Sequence, residues 1–236
     1  MVSWVGKSGR KAVVLLLMSV ALTACADRQN GYTEQGARLA AVHVDAQPIP
    51  VAFSYCHEYG CELRSQVSLS DEEWQTVTWR LLPPPGTAAE ERERIAWAAG
   101  DFERVVAPKI GTVGDVGGTF PGFAKSGQLD CVDEAMNMTL FLRLLEGQGL
   151  LAFHRIGTPL RRGNLFDGWP HFAAIMIEED TSARYALDAW YFDNGEPALV
   201  LPAESWLAGV DALVACMRDG GEAGRARKTP AECGVS

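Results

Sequence analysis

The sequence predicts an α+β domain: N-terminal helices, then a cysteine-bearing helix packed on an antiparallel sheet. Three observations predict it. At 47% hydrophobic and 22% charged, the 236-residue chain has the balance of a packed domain with one core rather than that of a disordered or fibrous chain. Apolar residues recur at steps of three and four in two stretches between residues 88 and 146, the spacing of a helix face. Farther on, two apolar runs joined by the short polar stretch EDTS (residues 179–182) read as an antiparallel hairpin.

The first residues stand apart from the domain. Lys7, Arg10 and Lys11 precede the apolar run AVVLLLMSVALTA, which ends in LTAC at Cys25. The run is shorter than the ~20 residues a membrane helix needs. With small residues before a cysteine, it reads as a lipoprotein signal over residues 1–24, with Cys25 as the lipidation site. An ordinary secretory signal is the alternative. The expected product is a domain anchored by acyl chains at a bacterial cell envelope, on the periplasmic face of the outer membrane. Residues 25–47 read as a lipidated polar tether, 48–215 as the folded domain and 216–236 as a C-terminal tail. The formal charge is −9, and removing three cations with residues 1–24 makes the rest more acidic, which argues against a nucleic-acid partner.

Six cysteines occur: Cys25, Cys56, Cys61, Cys131, Cys216 and Cys233. With Cys25 lipidated in an oxidising compartment, the odd number that remains leaves at least one thiol free. Cys56 and Cys61 flank HEYG between two strand-like runs, VAFSYC and CELRSQV, as a disulfide across a hairpin neck would. A metal site using Cys56, His57 and Cys61 is the rival, but it lacks further ligands at finger-like spacing. A Cys216–Cys233 bridge would pin the polar tail to the helix before it. Four cysteines permit three pairings, and Cys131 paired with another thiol is a further possibility.

The helices follow in order. Ser70 before DEEW supplies a hydroxyl N-cap and early carboxylates, and PPPG (83–86) stops that helix. A second helix spans about Ala88 to Val106, with Ile95, Ala98, Ala99, Phe102, Val105 and Val106 on its apolar face and EERER toward water. The glycine-rich stretch 110–127 lacks the lysine and hydroxyl of a phosphate-binding loop and reads as a connecting loop. In the third helix Ala135, Met138, Leu142 and Leu145 follow Cys131 on one stripe, which puts Cys131 at the helix N-terminus. Free N–H groups and the dipole favour an anion there, and a thiolate is an anion. Asp133 and Glu134, in the same turn, serve the dipole and compete with a thiolate for it.

A nucleophile needs a base. His171 opens the run HFAAIMIEE directly after the loop RRGNLFDGWP, and Asp188 is embedded in the next run, ARYALDAWYF. Folding the two runs back on each other across EDTS makes His171 and Asp188 cross-strand neighbours. The histidine then takes the thiol proton while the aspartate holds the ring in its working tautomer.

Cysteine at a helix start, histidine opening a strand and aspartate on the next strand resemble the papain-like transglutaminase core of the transglutaminase-like cysteine peptidase superfamily. The pieces that carry the resemblance are LDCVDEAMNMTLFLRLL, WPHFAAIMI and YALDAWYFDNGE, over roughly residues 125–200. The resemblance implies that residues 48–215 are a transglutaminase-like catalytic domain in which a Cys131–His171–Asp188 triad attacks carboxamide carbons. It implies the Cys131 N–H as one oxyanion donor, with Gln128 a candidate second. Trp169 and Trp190 are candidate walls of the cleft. Expected partners are a protein or peptide substrate and, through the lipid anchor, a membrane. Periplasmic members of the superfamily that clip adhesins are one precedent. No cofactor or metal is expected, since the calcium known in some relatives has no loop signature here. The sequence leaves open whether water or an amine accepts the acyl group, whether the fold is instead a catalytically silent binding lipoprotein, and the oligomeric state.

Overall fold

The computed structural model describes residues 33–119, 126–164, 168–219 and 228–234, apart from the side chains of 164, 168, 169 and 219. The proposed signal, Cys25 and residues 26–32 lie outside the described residues, and no described helix is long and apolar enough to cross a membrane. Helices and antiparallel sheets mix in an α+β arrangement.

Residues 33–43 form helix α1, where the sequence suggested only tether; Ala40 and the following Val44 are buried against the core. With the partly buried Leu39, these apolar contacts are too few for a periodic pattern yet suffice to dock it. A hairpin follows, β1 (Phe53–His57) paired with β2 (Leu63–Val67), and then α2 (Asp71–Thr78). Ser70 caps α2 as its position predicts: its hydroxyl accepts the Glu73 N–H at 3.2 Å and Glu73 Oε2 accepts the Ser70 N–H at 2.8 Å. Helix α3 (Ala88–Ile110) begins at the Thr87 cap and runs past Val106, closing where the Gly111 N–H reaches Ala107 O at 2.8 Å. Pro108 sits in its last turn, where the lost bond removes little of the ladder.

Helix α4 (Cys131–Gly147) precedes a four-stranded antiparallel sheet of β3 (His154–Asn164), β4 (Gly168–Glu178), β5 (Arg184–Asp188) and β6 (Leu199–Pro202), ordered as in the chain. Helices α5 (Ala203–Ala208) and α6 (Asp211–Asp219) complete it. The sheet is covered on both faces. Phe172, Ala174 and Met176 of β4 face the core that holds α4, while Ala173 and Ile175 face Trp206, Val210, Val214 and Met217 of the α5–α6 layer. That is why β4 reads as a continuous apolar run rather than an alternating one.

The larger core joins hairpin, α3 and α4 through Phe102. Its ring lies 5.7 Å from Phe53, 5.9 Å from Tyr55 and 5.1 Å from Phe141, and burial of one such ring contributes about 1.5–3 kcal/mol. The fully buried His154 ties the start of β3 to α3 by bonding Glu91 at 2.6 Å. Two disulfides close the chain, Cys56–Cys61 across the hairpin and Cys216–Cys233 between α6 and the 3₁₀ turn Ala231–Cys233. The second pins the tail, whose first residues, 216–219, belong to α6.

Candidate active site

Cys131 is the free cysteine among the described residues and is buried. It opens α4 because Asp130 caps the helix, accepting the Val132 and Asp133 N–H groups at 2.9 Å each, and Asp133 returns a bond to the Asp130 N–H at 3.1 Å. Cys131 is thus the odd thiol left over, and the rival in which it pairs with another thiol falls away among the described residues, since the other four described cysteines pair among themselves. As first residue of α4, Cys131 has an N–H with no partner inside the helix.

The thiol lies against the backbone of β4 on either side of His171. Its sulfur is 3.7 Å from Pro170 O and receives a bond from the Phe172 N–H. In β4 and β5 the register pairs Ala174 with Leu187, so Asp188 falls opposite Ala173, two residues beyond His171 and on the same face. The imidazole closes that diagonal, with Nε2 at 2.7 Å from Asp188 Oδ2. This bond leaves Nδ1 as the ring nitrogen available for other work. Both side chains are buried, His171 at 6% and Asp188 at 1% exposure.

Two aromatic residues that the sequence did not single out complete the pair's surroundings. Trp206, fully buried on α5, donates its indole N–H to Asp188 Oδ2 at 2.7 Å and lies 5.6 Å from the imidazole. Tyr191 packs 5.2 Å from the same ring. Arg162 of β3 binds both, reaching Trp206 O at 2.9 Å and the Tyr191 hydroxyl. No spacing in AESWLAG marks Trp206, because its link to Asp188 runs across β6 to a different element. Tyr191 sat in view beside Trp190, but an aromatic pair at a strand end has no chemical signature of its own.

Trp190, read as a candidate cleft wall, packs 4.7 Å from the His171 ring with its indole N–H on Thr119 O at 2.9 Å. Trp169 lies on β4, with its side chain outside the described residues. Gln128 is corrected. Its Nε2 donates to Gly114 O at 2.7 Å and Gly127 O at 3.4 Å, and its Oε1 accepts from the Val116 N–H and the Thr119 hydroxyl. Its amide is spent on clamping the loop 114–119, which leaves no N–H for an oxyanion. That loop packs tightly on the residue after Tyr191: a Cβ at Gly117 would come within 2.5 Å of the Phe192 backbone.

The electrostatics also differ from expectation. Helix dipole alone would lower the thiol pKa, but burial first, then the Asp130 carboxylate, push the Cys131 thiol up to about 12, against the opposing Phe172 N–H. The resting group is a neutral thiol. Among the described residues, the one His/Cys/Asp/Glu group close enough for a metal is His43 with Cys56 and Cys61, and both sulfurs are spent in a disulfide. The rival metal reading of Cys56, His57 and Cys61 fails for the same reason. No family model, curated protein or solved structure matches this chain.

Proposed function

We propose that the chain is an exported, lipid-anchored cysteine hydrolase, a peptidase or amidase acting on protein or peptide carboxamides at the cell envelope. The observation that carries this reading is the buried 2.7 Å His171–Asp188 bond beside a free thiol that lies against Pro170 and Phe172. The transglutaminase-like resemblance of the three sequence pieces supports the same roles.

In this reading Nδ1 of His171 takes the Cys131 proton as the sulfur attacks the carboxamide carbon. Asp188, accepting at Nε2–H, fixes the tautomer and balances the imidazolium. The Cys131 N–H meets the developing oxyanion. The imidazolium then protonates the departing amine, and a water deprotonated by the same ring releases the acid. Because the thiol starts neutral, proton transfer accompanies attack rather than preceding it. Hydrolysis is favoured over acyl transfer because water is abundant at an exposed envelope and no dedicated amine site is evident from the sequence.

One observation favours a second reading. A thiol at 5% exposure with its pKa pushed to about 12 also suits a silent fold kept for binding. The test is turnover of a fluorogenic peptide-amide library by the wild-type chain and by Cys131→Ala, with mass analysis for an acyl adduct on Cys131. We expect an adduct and cleavage that the variant abolishes. Equal cleavage by both, or none by either, rejects the hydrolase. Incorporation of an added primary amine into the product would identify a transferase instead.

A further inference from the structure

The loop that joins β1 to β2 reaches across to the start of α4. Its residues Glu58, Tyr59, Gly60 and Cys61 all adopt left-handed backbone, with φ of 67°, 59°, 69° and 58°. Only Gly60 accepts that conformation freely, so the other three need something to hold them. Successive N–H groups in such a turn converge as an anion-binding nest. Here the acceptors are the carboxyl oxygens of Asp130 and Asp133, one residue before and two after Cys131. Tyr59 N–H meets Asp133 Oδ2 at 2.9 Å, Gly60 N–H meets Asp130 Oδ2 at 2.9 Å, and Cys61 N–H meets Asp133 Oδ1 at 2.7 Å.

Each carboxylate thus works in two directions. Asp130 gives Oδ1 to the first turn of α4 and Oδ2 to the loop, and Asp133 bonds the loop and the Asp130 N–H. Asn137, farther along α4, accepts the Cys56 N–H at 2.8 Å and donates to Cys56 O at 2.9 Å. The Cys56–Cys61 bridge closes the loop between these two grips.

We propose that the disulfide-closed loop Glu58–Cys61 is a positioning device for the nucleophile, its N–H groups holding Asp130 and Asp133 so that Cys131 stays set against Pro170 and Phe172. The proposal rests on reading Cys131 as the nucleophile and extends it to residues far away in sequence. Without the bridge, the three side-chain-bearing residues relax out of the left-handed region and their N–H groups leave the carboxylates. The first turn of α4 then loosens, and with it the thiol's place against Pro170 and Phe172.

The test compares the full chain with Cys56→Ser/Cys61→Ser and, as a control for the loss of any bridge, Cys216→Ser/Cys233→Ser. Three quantities are read: the alkylation rate of Cys131 by iodoacetamide, mapped by peptide mass; thermal unfolding; and turnover. Loss of the hairpin bridge should speed alkylation by about tenfold or more and cut kcat comparably, while a cooperative transition persists. The control pair should leave the Cys131 rate within about twofold. Gly60→Val perturbs the grip with the bridge intact, because a Cβ there meets open space and acts only through the backbone; it should speed alkylation about threefold. Unchanged alkylation in either hairpin variant overturns the proposal, as does loss of the cooperative transition, which would make the bridge a general staple. If the wild-type chain shows no turnover, the hydrolase reading falls while the alkylation comparison still judges the loop.

Discussion

Raising the pH from about 5 to about 8 should destabilise this protein, against the common pattern for an acidic chain rich in ion pairs. The cause is a set of buried carboxyls around α3, α4 and the loop between them. Burial pushes Glu103 up to about 8; its Oε2 accepts the Gly195 N–H at 2.9 Å, but its Oε1 is buried without a partner among the described residues. Burial, then the Asp193 charge, raises Asp115 to about 7, and burial with Asp130 raises Asp133 to about 7. Glu134 is raised too, by burial and then by Glu103. In the unfolded chain these groups ionise near ~4, so between that pH and the folded values the native state holds protons that the unfolded state has released. Stability therefore falls with rising pH, by about 1.4 kcal/mol per pH unit for each proton so held. Glu103 alone accounts for about 4 kcal/mol between pH ~5 and ~8, a large part of the ~5–15 kcal/mol of a typical domain. Below that window the trend reverses. Glu91 is held down because bonds from His154, Ala152 and Phe153 outweigh its burial, and Glu178 is held down by Arg92, so their contributions vanish as pH falls through the carboxylate range. The maximum should lie near pH ~5. Urea unfolding at pH steps across the range reads this directly, and Glu103→Gln should flatten the slope by one proton's worth. A free energy that is level or rising from pH ~5 to ~8 refutes the reasoning.

Two substitutions test the buried pair. Asp188→Asn keeps a carbonyl that can accept from both His171 and Trp206, yet carries no charge to balance an imidazolium, so kcat should fall on the order of 10²-fold with KM little changed; a loss under about threefold would mean the carboxylate only holds geometry. Trp206→Phe deletes the indole N–H from Asp188 Oδ2 while retaining most of the ring volume. Urea unfolding should show a loss of about 2–3 kcal/mol, and a change below about 0.5 would deny that bond its role.

What was legible in the sequence was local or periodic. The Ser70 capping box, the apolar stripe that begins at Cys131 and the EDTS hairpin are set by neighbours within a few residues, and His171 meets Asp188 because a hairpin converts a short spacing into a contact. Both disulfides were legible for the same reason, each joining cysteines close in the chain. What escaped was long-range. Helix α1 is docked by Leu39, Ala40 and the following Val44, Trp206 bonds Asp188 from beyond β6, and Gln128 is drawn away from the nucleophile by the loop it clamps. None of these leaves a period or a motif, because the partner is chosen by packing.

The thiol itself joins the two kinds of information. Its place at a helix N-terminus was read correctly, and competition from Asp133 and Glu134 was foreseen, but the Asp130 cap and the loop that engages Asp130 and Asp133 were not. Asp130 already takes the Val132 and Asp133 N–H groups of the first turn, and the loop Glu58–Cys61 adds three more donors to Asp130 and Asp133 rather than to the sulfur. The positive end of α4 is thus satisfied before the thiol can use it, and burial then decides the balance in favour of the neutral form. In the proposed hydrolase, a nucleophile in that position draws its reactivity from His171 at the moment of attack. Iodoacetamide should accordingly alkylate Cys131 in the folded chain more slowly near neutral pH than it does an ordinary exposed thiol, and a rate equal to that of a free thiol refutes this.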